Sequence, residues 1–187
     1  MSEIVQHLVD IGHKKIGFFS IEPISRVTSV RDRYMAFCKT LITNGIPLRE
    51  EHVMCFTFDE FRNSVDIDHL DLVGEKLKRL LATGVTAIVA ENDLTALFLY
   101  VAARNCGKTI PGDFSLTGFD DLSLLRQFSV SMTTVRQDPY EIGNKAAEIL
   151  YDRITGRERK CVHHVHPVEL IVRTTTAAVA KPARMNA

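Results

Sequence analysis

The chain has 187 residues, 45% of them hydrophobic, and its 23 Lys and Arg balance 23 Asp and Glu to a formal net charge of zero. That length and apolar content suffice for the core of one domain or slightly more, while balanced charge without a Lys/Arg cluster gives no sign of a nucleic-acid-binding face, which phosphate neutralisation would make basic. No apolar run approaches the roughly 18 residues that span a bilayer, and the opening MSEIVQHLVDIGHKK carries no secretory-signal pattern.

Ile4, Val5, Leu8 and Val9 follow helical spacing as far as Ile11, with Gly12 as a stop, and residues 15–20 (KIGFFS) then read as a buried strand. His13, between them, reads as a polar turn residue rather than a ligand or base. After a polar loop at 21–28, residues 29–44 form an amphipathic helix with Tyr34, Phe37, Cys38, Leu41 and Ile42 inward, ended by Gly45. A second strand is predicted at 53–58, a polar stretch at 59–63, and a helix at 66–83 with Leu70, Val73, Leu77, Leu80 and Leu81 on one face.

The most informative stretch runs from 86 to 135. Two short apolar runs, 87–90 and 115–119, each end on polar residues: Glu91, Asn92 and Asp93 after the first, Asp120 and Asp121 after the second. Between them, residues 94–104 are apolar almost all round and long enough for a helix, so the two strands are joined by a helical crossover and run parallel. Ligands of open parallel sheets bind at the carboxyl ends of the strands, which brings Asn92 and Asp120 to one rim. Of the neighbouring acids, Asp93 is the expected cap of the next helix, and Asn92 divides evenly between capping and ligand contact.

Residues 123–128 are too short for a core helix, 132–135 read as a strand, and 139–155 as a helix with Asp138 as N-cap and Pro139 at its first position. A closing strand is predicted within 165–175, and residues 177–187 as a disordered tail. The order is that of an α/β fold: a doubly wound, mostly parallel sheet with helices on both faces.

Four segments in order, END-x-x-AL, IPGDFSLTGFDD, MTTVRQDPYEIG and VELIVRTTT, carry a resemblance across nearly the whole chain. It resembles the C-terminal half of the effector-binding core of LacI/GalR-type transcriptional regulators, a periplasmic-binding-protein-like fold. The resemblance implies a C-terminal lobe at 1–135, a crossover helix at 136–160 that belongs with the N-terminal lobe, and a closing strand at 161–176. It implies a sugar or small-metabolite effector, a homodimer, and contact with DNA only through a head outside this sequence. Asp120, Asn92 and Arg33 match effector-contacting positions, Phe58 the stacking aromatic, and Ser29, one turn before Arg33, is a weaker candidate. These residue types suit a sugar, whose hydroxyls need carboxylate, guanidinium and amide partners and whose ring face needs an aromatic. Leu97, Tyr100, Val101, Leu124, Leu125 and Phe128 match the dimer surface, with core burial as the competing account. Ala36 stands where the family usually has glycine. The polar stretch after residue 58 leans toward the arabinose-repressor-like branch and a pentose. With its N-terminal lobe absent, the helix at 139–155 is expected to lack cover on its apolar side.

No cofactor, metal or catalytic set is expected. Gly107-Lys108-Thr109 follows a helix and has Ala102 where a phosphate loop needs glycine; Asp66, Asp68 and Asp71 lack the glycine and closing glutamate of a calcium loop; His163, His164 and His166 read as a solvated strand start. Asp120 and Asp121 have no nucleophile beside them for acid/base work. Cys38, Cys55, Cys106 and Cys161 are scattered without C-x-x-C spacing, which fits reduced thiols of a cytoplasmic protein. The competing readings are a transporter's sugar-binding protein of the same fold, against which the cysteines and the implied dimer surface count, and a flavodoxin-like enzyme, for which no cofactor loop is present.

Overall fold

Strands β1 (Ile16–Ser20), β2 (Val53–Cys55), β3 (Ala87–Ala90) and β4 (Ser115–Thr117) form one parallel sheet in the order β2-β1-β3-β4. They are seen in a computed structural model that describes residues 1–63, 69–157, 161 and 163–179. All of β1 and β3 is buried, as a parallel sheet covered on both faces requires. Side chains alternate between the faces. Ile16, Phe18, Ala87 and Val89 pack under α1 (Ser2–Asp10) and α2 (Thr28–Thr43). Phe19, Ile88 and Ala90 meet the opposite layer, α4 (His69–Ala82) and α5 (Asp93–Asn105), while the short α3 (Phe58–Asn63) precedes α4. Gly17 lets that layer close: a Cβ there would lie 3.1 Å from Leu80 Cδ1. This is the doubly wound architecture expected, with the chain reversing direction across the sheet between β1 and β3.

The pairing on which the sequence reading turned holds. Ala87, Ile88 and Val89 align with Ser115, Leu116 and Thr117 in parallel, so the residues following β3 and β4 leave the sheet on the same side. At the opposite end, His13 fills the turn after α1, only 3% exposed. Its Nδ1 lies 2.8 Å from Thr86 Oγ1, and its Nε2 3.1 Å from both Ser115 Oγ and the Ala177 carbonyl. Burial lowers its pKa. The ring is a polar rivet far from the strand tips, which agrees with its reading as a turn residue.

Beyond β4, the one-turn α6 (Leu124–Gln127) is followed by β5 (Thr134–Arg136), which pairs antiparallel with β6 (Glu169–Ile171). Single parallel bridges, Thr117 to Thr133 and Asp120 to Arg136, hold β5 against the edge of β4. α7 (Pro139–Ile154) begins as predicted, with Asp138 Oδ1 accepting from the Tyr140 and Glu141 amides at 3.1 and 3.0 Å. None of its residues is buried, and Ile154 is 76% exposed. The apolar side of α7 is thus open among the described residues.

Three boundaries need correction. The strand predicted at 53–58 stops at Cys55, because Thr57 starts α3 instead: its hydroxyl accepts from the Glu60 amide at 3.2 Å while Glu60 Oε2 accepts from the Thr57 amide at 2.7 Å. That reciprocal capping box turns the supposed polar stretch into helix. The long closing strand shrinks to three residues, since β6 has only β5 to pair with. The predicted tail is anchored through residue 179: the Val179 amide donates to Ile11 O at 3.1 Å and the Ala177 amide to Ser115 Oγ at 3.1 Å. Residues 180–187, and 64–68 at the predicted start of α4, lie outside the described residues.

Candidate functional site

The tips of β1, β3 and β4 converge where the strand order reverses, the usual ligand crevice of this architecture. Arg33 reaches into it from the second turn of α2. Its Nη2 donates to Asp120 Oδ1 at 3.0 Å, its Nη1 donates to the Glu91 carbonyl at 2.7 Å, and its guanidinium carbon lies 4.1 Å above the Phe119 ring. Gln137, just after β5, donates from Nε2 to the same Asp120 Oδ1 at 2.6 Å. Asp120 Oδ2 accepts from none of the described residues. The Arg33 and Asp120 side chains are 17% and 27% exposed, enough for a ligand to reach both.

Asn92 is the N-cap of α5, its side-chain oxygen accepting from the Thr95 amide at 2.8 Å. That leaves the amide nitrogen, half-buried at the same rim, without a partner among the described residues. So Asn92 can cap and donate to a ligand at once, whereas Asp93, the expected cap, turns inward. Asp93 is fully buried, accepting from Thr134 Oγ1 and the Leu122 amide, each at 2.7 Å. Burial raises its carboxyl to about 6, helped by the charges of Asp120 and Asp121 and opposed by those two hydrogen bonds. Asp121 points away from Asp120, to Arg136 at 2.8 Å and Arg173 at 2.7 Å. Burial pushes its pKa up, but the two arginines outweigh that and hold it below the usual carboxylate range. The two adjacent acids therefore serve separate partners.

Glu91 is the residue that sequence reasoning passed over. It is fully buried between β1 and α5, beside Ser20, and accepts from the Ile21 amide at 3.0 Å and Thr95 Oγ1 at 2.7 Å. Ser20 Oγ also lies 2.6 Å from the Glu22 carbonyl. A hydroxyl has one proton. If Ser20 gives it to Glu22 O, Glu91 Oε2 must carry the proton of the second bond, and burial indeed raises the Glu91 carboxyl to about 7. A carboxyl raised to about 7 is largely protonated below that pH, which eases its burial without a cation of its own. The available signal was a glutamate directly closing an apolar strand run. Gln137 gave no signal beyond its place after a predicted strand.

Two candidates sit differently from expectation. Phe58 opens α3 rather than ending β2, is 46% exposed, and lies under Arg26 of the β1–α2 loop, the guanidinium carbon 5.0 Å from the ring centroid. Ser29 is exposed in the first turn of α2, one turn before Arg33. Of the six residues matched to a dimer surface, Leu97 and Leu125 are buried in the core, Tyr100 and Val101 are half-buried against it, and only Leu124 and Phe128 are exposed, at 37% and 55%. A groove of about 690 Å³, lined at one end by Gln137, runs between α7 and the segment holding Cys161, His163, His164 and His166. Among the described residues no three His, Cys, Asp or Glu side chains gather to hold a metal, and no helix is long and apolar enough to cross a membrane.

Comparison with known proteins agrees with this geometry. The family model described as a periplasmic binding protein-like domain matches residues 5–176. The HTH-type transcriptional repressor PurR of Mannheimia succiniciproducens is 32% identical over 94% of this chain and 49% of its own length. The arabinose metabolism transcriptional repressor of Geobacillus stearothermophilus is 30% identical over 94% of this chain and 47% of its own. Among solved structures, a LacI family transcriptional regulator from Enterococcus faecium with bound ribose superposes with a TM-score of 0.76 at 25% identity, covering 96% of this chain and 62% of that one. This chain thus spans about half the length of the curated relatives it matches. A model matched over nearly all of the chain, together with a parallel sheet whose strand tips gather Arg33, Asn92 and Asp120, establishes that the chain belongs to the periplasmic binding protein-like domain family, as an effector-binding core of the LacI type.

Proposed function

We propose that this chain is the effector-sensing and dimerising part of a cytoplasmic DNA-binding transcriptional regulator whose DNA-reading head lies outside the sequence. The observation that carries the reading is the Arg33, Asp120 and Gln137 cluster at the point where the sheet reverses. Asp120 Oδ2 accepts from a ligand hydroxyl, Arg33 and the Asn92 amide donate, and Phe58 with Ser29 lines the outer rim. A neutral, polyhydroxylated metabolite suits a site where the Arg33 guanidinium and the Asp120 carboxylate already neutralise each other. The names of the relatives, arabinose in one and bound ribose in another, lean the same way and toward a pentose.

The N-terminal lobe that would close over the crevice is also the cover for α7. Effector bridging two lobes biases their angle, so ligand must bind the two states with different affinity to change DNA binding. The dimer forms through the exposed Leu124 and Phe128, joined by Leu94 and Leu122, with Leu97 and Leu125 supporting from within the core. Calorimetry of the full-length protein against L-arabinose, D-ribose, common hexoses and purines tests the assignment. A saturable heat from one sugar, weakened in Asp120→Ala, is expected; binding of none, or binding indifferent to Asp120, would overturn it.

A further inference from the structure

Asp120 and Asp121 both adopt left-handed backbone, with φ of +110° and +53°. Residues with side chains rarely hold that conformation, and two in succession need something outside the turn to keep them there. Three bonds to one residue do so. The Asp93 amide donates to Phe119 O at 2.8 Å, just before the turn; Asp93 Oδ2 accepts from the Leu122 amide at 2.7 Å, just after it; and Asp93 Oδ1 accepts from Thr134 Oγ1 at 2.7 Å, on the strand that leads to Gln137. Gly118 makes the approach possible, because a Cβ there would overlap Asp93 Oδ1. Thr134 Oγ1 in turn lies 3.4 Å from the Asp121 amide.

We propose that Asp93 is the positioning residue of the effector site, gripping the 119–122 turn and β5 from the first turn of α5 so that Asp120 stays on Arg33 and Gln137. The proposal rests on reading Asp120 as an effector contact, and it adds a physical tie between that contact and α5. Asp93 itself is fully buried and touches no ligand. Its carboxylate fixes where another carboxylate points. A short polar strut suits the task because its two oxygens accept from two directions, a backbone amide on one side and a hydroxyl on the other.

Hydrogen–deuterium exchange of the ligand-free full-length protein tests this without reference to any effector. Asp93→Ala should speed exchange of the Asp120 and Leu122 amides by roughly tenfold or more, the factor expected from losing a hydrogen bond to a buried carboxylate, with β1 and β2 amides at wild-type rates. Asp93→Asn keeps an acceptor for the Leu122 amide and offers an N–H to Thr134 Oγ1, so it should restore protection; a general structural role would give no such rescue. Thr134→Val, which preserves shape, should give a smaller rise confined to the same turn and decides the matter should Asp93→Ala fail to fold. Unchanged exchange at Leu122 in these variants, or a rise spread evenly over β1 to β4, overturns the proposal. Asp120→Ala serves as the separating control: it should weaken effector binding by about 10- to 100-fold yet leave Leu122 protected, so loss of the effector reading and loss of this inference give different results.

Discussion

Arg33 and Asp120 stand 87 residues apart in sequence and meet at 3.0 Å, one from the second turn of α2, the other from the turn after β4. The contact joins two strand ends that are not neighbours in the sheet, with β3 between them. Because both side chains retain some exposure, the ion pair itself contributes on the order of 1 kcal/mol or less to folding. Its value lies in aiming a carboxylate and a guanidinium at the same small volume.

Asp120→Ala should therefore leave the melting temperature nearly unchanged while weakening effector binding by about 10- to 100-fold, the range for losing a hydrogen bond to a charged group. Arg33→Ala should weaken binding similarly but also lower stability more, since it removes the bond to Glu91 O and the contact over Phe119. Calorimetry paired with thermal melts separates the two. Equal losses of stability in both variants would contradict the assignment of roles.

The buried acids give the lobe a pH signature. In the folded chain the Glu91 carboxyl sits at about 7 against an ordinary 4.5, so between those values the native state holds a proton that the unfolded chain releases. Stability then falls as pH rises through that window and levels off above about 7, by an amount on the order of 3 kcal/mol. Asp93, raised from 3.8 to about 6, adds a slope of the same sign at lower pH. Glu91→Gln can donate to Ser20 and accept from Ile21 and Thr95 without ionising. It should match wild type near pH 5 and exceed it at pH 8 in chemical denaturation; a variant that is less stable at both would show that the glutamate is held as a carboxylate.

Much of this site was legible in the sequence, for a definite reason. Residues 87–90 and 115–119 are apolar runs with abrupt polar ends, and a helical crossover leaves no choice but parallel pairing, so Asn92 and Asp120 had to share a rim. What escaped depends on side-chain direction. Asn92 and Asp93 can both cap a helix, and only the space above Gly118 decides that Asp93 goes inward. The capping box at Thr57 and Glu60 was written in the sequence as T-F-D-E and was outweighed by the apolar run before it. Gln137 reaches Asp120 only because β5 lies along β4, a placement made by two isolated bridges rather than by any local pattern.

The exposed pair near α6 can be tested directly. Leu124→Ser with Phe128→Ser should leave the monomer fold intact, since neither side chain is buried, but weaken self-association by about 100-fold or more, given roughly 1.5–3 kcal/mol per large apolar side chain removed from water. Sedimentation velocity over a concentration series reads the change. An unchanged dimer would place the interface elsewhere.

α7 makes the opposite demand. Leu150, Tyr151 and Ile154 are 58%, 56% and 76% exposed on a helix none of whose residues is buried, and an apolar surface of that kind normally meets a partner. Expressed by itself, this chain should associate with rising concentration through that face and, on the proposed two-lobe reading, bind effector weakly. Leu150→Ser with Ile154→Ser should reduce that association in the isolated chain. On the proposed reading, in which an N-terminal lobe packs on the same helix in the full-length protein, the same pair should instead lower the melting temperature, at a cost of about 2–5 kcal/mol for each side chain that becomes fully buried there. Light scattering of the short chain and thermal melts of the long one give the two readings. A pair of substitutions that is neutral in both would mean that α7 is solvated in the intact regulator as well, and that the crossing between lobes lies elsewhere in the chain.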